Sequence, residues 1–114
     1  MSTSTESFSS QRVNSSLLPS YTGKAVRLTC RPLRTSAAGW TVQAPDGGEV
    51  TVTLLSDQLS SDSFYEVKGQ VVNGTTVKAL QVMKLEDTLD MALVNDTINM
   101  MHDPRFFNKI FVEE

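Results

Sequence analysis

The stretch FYEVKGQVVNGTTVKALQVMKL, residues 64–85, carries the reading on which the fold turns. Its first part, FYEVKGQVV, has strand character but holds Gly69 in mid-run. A bulge or sharp bend is expected there, because glycine packs no side chain and tolerates backbone that a regular strand excludes. Asn73-Gly74 is the dipeptide of a type I′ hairpin, whose two central residues both need positive φ. TTVKALQVMKL then supplies a long return strand. A bent strand, a tight turn and a long return suit a sheet that curls.

Upstream, KAVRLTCRPL (24–33) alternates Val26, Leu28 and Cys30 against Arg27, Thr29 and Arg31, the period of a half-buried strand. GWTVQA (39–44) places Trp40, Val42 and Ala44 on one face, and EVTVTLL (49–55) alternates Val50, Val52 and Leu54. PDGG at 45–48 joins these two runs as a hairpin. SDQLSSDS (56–63) reads as a polar loop. The expected class is therefore all-β, with five strands in order and one C-terminal helix. Left open, such a sheet would expose a face and two edges. Closing it removes the edges and hides the alternating apolar residues, so the expected architecture is the five-stranded Greek-key barrel called the OB-fold, over residues 12–85.

The helix is expected over 86–103, capped by Asp87 or Thr88 and stopped by Pro104. Within LDMALVNDTINMM (89–101), a turn of about 100° per residue puts Leu89, Leu93 and Met100 along one stripe. Met91, Val94, Ile98 and Met101 form another, while Asn95, Asp96 and Asn99 take the remaining side. The apolar arc spans about 200°, roughly twice what seats a surface helix on one core. One stripe suits an end of the barrel and the other suits partner chains, which makes Leu89, Met91, Leu93, Val94, Thr97, Ile98, Met100 and Met101 the candidate interface. Beyond it, RFFNKIF in the segment 104–114 is too apolar for a free tail.

A chain of 114 residues is long enough for one core and too short for two. Residues 1–11, dominated by Ser and Thr, read as a disordered tail, with no basic start and apolar run of a secretory signal. The lone Cys30 excludes an internal disulfide framework and fits a small core residue in a reducing compartment. A net charge of −3 is not that of a basic nucleic-acid binder. The charge is polarised, however: Lys24, Arg27, Arg31 and Arg34 cluster early, and Glu86, Asp87, Asp90, Asp96 and Asp103 cluster late.

The ordered set of RVN (12–14), LLPSYTGKAVRL (17–28), FYEVKGQV (64–71) and LDMALVNDTINMMHDP (89–104) resembles the smallest subunit of replication protein A, the eukaryotic heterotrimer that binds single-stranded DNA. The resemblance implies a nuclear, structural subunit without catalytic activity or cofactor. It also implies that the C-terminal helix joins helices of the middle and large subunits in a three-helix core, in support of replication, repair and recombination. Two alternatives are an autonomous single-strand-binding module and the small OB subunit of a telomere-capping complex.

OB-folds bind single strands with a basic groove and aromatic stacking platforms. Candidates for such contacts are Arg27, Arg31, Arg34, Trp40 and Lys68. Against them, alternation groups Trp40 with the core, and the loops RTSAAG and NG are short where an OB-fold clamps its ligand. Weak or absent DNA binding by the lone chain is expected. The single histidine, His102, lies far in sequence from Cys30, and PDGG lacks the length and lysine of a phosphate loop, so neither a zinc site nor nucleotide chemistry gains support.

Overall fold

The computed structural model describes residues 10–53 and 59–103. Six strands occur among them: β1 (Gln11–Val13), β2 (Ala25–Ser36), β3 (Gly39–Gln43), β4 (Glu49–Thr53), β5 (Tyr65–Asn73) and β6 (Thr76–Lys84). One α-helix follows, α1 (Met91–Met101). The strands run in the order β1-β2-β3-β4-β6-β5, and β2 also pairs with β5, so the sheet closes on itself as an OB-type barrel. All the barrel contacts are antiparallel except β4 with β6, which is parallel.

Closure is achieved by local devices. Gly69 sits where the β5–β6 register shifts, as the mid-strand glycine predicts. A Cβ there would collide with the Lys78 carbonyl oxygen, so two backbones approach too closely for any other residue. On β2 the register with β3 slips between Pro32 and Arg34, bending a 12-residue strand around the barrel. Val26, Leu28, Cys30, Val42, Val50, Val52, Val67, Val71 and Val77 point inward and are at most 1% exposed. Cys30 is core, as expected, and burial pushes its thiol up to about 12, which leaves it unreactive.

Four features differ from the sequence reading. The chain is already ordered at Gln11, where β1 pairs in parallel with β2 at Val26–Leu28 and buries Val13. A 3-10 helix, Ser15–Tyr21, fills what was read only as the approach to the first long strand. The α-helix begins at Met91, capped by the Asp90 carboxylate accepting from the Leu93 N–H, while Asp87 instead accepts from the Ser63 hydroxyl and pairs with Lys84. Finally, α1 does not plug the barrel. Its contacts run to β1, the 3-10 helix and the outer face of β2, so it lies along the outer flank. The tail 1–9, Leu54 and the Phe-rich 104–114 lie outside the described residues.

Candidate partner-binding helix

The flank that receives α1 is built from β1 and the turn after it. Asn14 caps the 3-10 helix: its Oδ1 accepts from the Leu17 N–H at 3.2 Å and the Ser16 hydroxyl at 2.9 Å. Its Nδ2 donates across the seam to Asn95 Oδ1 at 2.7 Å and Asn99 Oδ1 at 3.1 Å. All four hydrogen-bonding positions of this 1%-exposed carboxamide are therefore filled. At the helix C-terminus, His102 Nε2 lies 2.9 Å from the Arg12 carbonyl, which can only accept. The proton thus sits on Nε2, and Nδ1 accepts from the Tyr21 hydroxyl at 3.3 Å. Burial raises the Tyr21 pKa, and the two rings meet edge to face at 5.8 Å.

Between these pins, Ile98 is 1% exposed yet outside the barrel core, held only by the seam. Met91, Val94 and Met101 are half-buried beside it. Burying Ile98 contributes about 1.5–3 kcal/mol to docking. A cleft of about 310 Å³ opens beside it between Arg12, Thr29 and Leu85 on one wall and α1 on the other, where Val94 and Met101 line its floor and Leu93 and Thr97 its outer lip. Thr29, though on the outer face of β2, is buried there. Arg12 spans from this cleft to the buried Glu66 carboxylate at 3.0 Å.

The candidate interface residues therefore separate into two sets. Met91, Val94, Ile98 and Met101 belong to the side that faces the barrel. Leu93 and Met100, 62% and 44% exposed, are turned to solvent, Leu93 and the exposed Thr97 at the open lip of the cleft, where Leu89 is half-buried. Asn95 and Asn99, read as the solvent side, both reach the barrel at Asn14, Asn95 half-buried and Asn99 still exposed. Apolar side chains on both flanks left the polar side as the default outward face, and only the distant Asn14 reverses it.

Of the candidate DNA residues, Arg27 and Lys68 are cross-strand neighbours, while Arg31, Arg34 and Trp40 lie on the β2–β3 side. Arg27 turns away to donate to the Ser10 carbonyl at 3.0 Å, and Arg34 pairs with Glu49 at 2.7 Å on the surface. Arg31 pairs in register with Gln43. Trp40 stands opposite the buried Val52 and packs, half-buried, on the core. The outer face of β3–β4 carries Thr41, Gln43 and Thr51 rather than aromatic rings. One cationic row exists, Arg12–Arg27–Lys68 across β1, β2 and β5, and Arg12 was absent from the sequence reading. Among the described residues no three His, Cys, Asp or Glu side chains gather as a metal site.

The profile of the family described as Replication factor A protein 3 matches residues 1–107. A chain of U. maydis replication protein A, from a structure bound to single-stranded DNA, is similar at a TM-score of 0.75 and 27% identity, covering 90% of this chain and 94% of that one. The S. pombe Stn1–Ten1 complex contains a chain similar at 0.65 and 9% identity, covering 80% and 90% respectively. The S. pombe telomere-capping protein Ten1 is similar at 0.62 and 12% identity, covering 80% and 95%, so these two share the fold. No curated protein matches the chain by sequence.

Proposed function

Because the chain belongs to the Replication factor A protein 3 family, that of the small subunit of replication protein A, we propose that it is the assembly subunit of a heterotrimer and offers the outer side of α1 to helices of the middle and large subunits. The observation that carries this is the pair Leu93 and Met100, about 20° apart around the helix, exposed while the opposite side is already seated on its own barrel. Their burial would contribute on the order of 1.5–3 kcal/mol each before the costs of association. Met100 adds a flexible thioether that fills irregular gaps. The subunit works in the nucleus on single-stranded DNA through the complex, with little affinity of its own, since Trp40 is turned inward and, in the one cationic row, Arg12 and Arg27 already have partners within the chain. No catalysis is assigned to it.

The test is co-expression with the middle and large subunits. Leu93→Glu with Met100→Glu should abolish recovery of the partners while circular dichroism of the barrel is unchanged. Undiminished co-purification of the double variant would refute the assignment.

A further inference from the structure

α1 is apolar on two flanks, so hydrophobic burial alone does not decide which of them sits on the barrel. Met91, Val94, Ile98 and Met101 on one side, and Leu89, Leu93 and Met100 on the other, are of similar size and differ in number by one. Something must break the tie. We infer that Asn14 is the positioning residue that selects the seated face of α1 and hence the face left for partners. Its two amide protons reach Asn95 and Asn99, which lie one helical turn apart on the flank turned away from Leu93. Seating Leu93 and Met100 inward would carry both carboxamides off the seam and lay apolar side chains over the Asn14 amide, which is 1% exposed beneath the helix, stranding its two donors. An unsatisfied buried donor is penalised far more than a satisfied one is rewarded, so the wrong seating is disfavoured even where its apolar packing is equal. A single buried asparagine fixing register in a greasy helical interface has the same physical basis.

The geometry of Asn14 suits this role. Its oxygen is committed to the Leu17 N–H and the Ser16 hydroxyl, which fixes which way the amide faces. The nitrogen is left to donate and cannot rotate away without breaking the cap of the 3-10 helix. His102, whose N–H still bonds the Ile98 carbonyl, pins the C-terminal end of α1 to Arg12 and Tyr21 on the same side, so it reinforces at one end the choice that Asn14 makes at the middle of the helix.

The consequence for partners rests on the interface reading above; the seating itself does not, and is tested on the full chain alone. Leu93→Cys and Ile98→Cys variants are alkylated separately, Cys30 being silent because it is fully buried with its thiol near 12. With Asn14 present, the cysteine at 93 should react fast and the one at 98 slowly. In the Asn14→Leu background the first should slow and the second quicken, shrinking their ratio about tenfold, the effect of losing one to two buried hydrogen bonds. An unchanged ratio, or both rates rising together as in simple loosening, overturns the inference. If Asn14→Leu fails to fold by near-ultraviolet dichroism of Trp40, Asn95→Ala with Asn99→Ala decides by the same ratio, since it leaves the Asn14 cap intact. Partner recovery enters neither readout, so failure of the heterotrimer proposal would be seen separately.

Discussion

The barrel interior is lined by valines with Leu28 and Cys30, and its inward positions are essentially free of polar side chains. The seam under α1 holds one fully buried apolar residue, Ile98, amid hydrogen bonds from Asn14, His102 and Tyr21. Inside the barrel the backbone ladders already fix every neighbour, and a slip of one residue would turn a whole strand inside out. Apolar filling is therefore enough to specify the packing there. No ladder constrains α1, and its two greasy flanks compete, so polar partners supply the choice that burial does not make.

The sharpest break of this contrast is inside the barrel. Leu28→Ala should cost about 2–5 kcal/mol, because the closed ring has little room to collapse into the void. Denaturant unfolding should show the midpoint falling for every probe at once. Ile98→Ala should cost less, about 2 kcal/mol at the low end of the same range, since the seam borders an open cleft. Its loss should appear as faster hydrogen exchange confined to α1, with β2 and β5 still protected. Leu93→Ala should change the stability of the lone chain by no more than about 0.5 kcal/mol. Equal effects at 93 and 98 would erase the distinction between seated and offered faces.

How far these regions were legible beforehand follows the same division. The five strand runs extend over enough residues to declare themselves, Gly69 announces the bend, and Asn73-Gly74 announces the place of the turn but not its type. The loop is Gly74-Thr75, Gly74 has no positive φ, and the Asn73 carboxamide accepts from the Thr75 N–H. β1 did not declare itself, because three residues with one inward side chain, Val13, make no period, and the strand it pairs with, β2, begins more than ten residues later. The width of the apolar arc on α1 was visible, but not its azimuth. That depends on contacts 81 and 85 residues apart in sequence, and a helical wheel assigns asparagines to solvent by default. The spacing of Asn95 and Asn99, i and i+4, on a helix with no other reason for an amide ladder was the signal available. The capping position was missed by two or three residues because Asp87, Thr88 and Asp90 are all competent caps, and Asp87 is drawn off by Ser63 and Lys84.

The smallest expected effect is the most local. Asp46, in the β3–β4 turn, is partly desolvated, which by itself would raise its pKa. Hydrogen bonds from the Ser15 hydroxyl and from the Ser16, Ser15 and Gly48 N–H groups together outweigh that and hold the carboxyl below its ordinary value. A carboxyl with a depressed folded pKa stabilises the fold above the ordinary aspartate value, and that contribution is lost as pH falls through the folded value. Asp46→Asn should therefore flatten the acid limb of the stability profile, the gap from wild type closing towards low pH. Ser15 and Ser16 directly follow Asn14, so release of Asp46 also loosens the platform on which α1 is seated. Acidification should raise hydrogen exchange in α1 before it does in β2 or β5, and this order should vanish in Asp46→Asn. Simultaneous loss of protection in both regions of the wild type would mean that the seam has no stability of its own apart from the barrel.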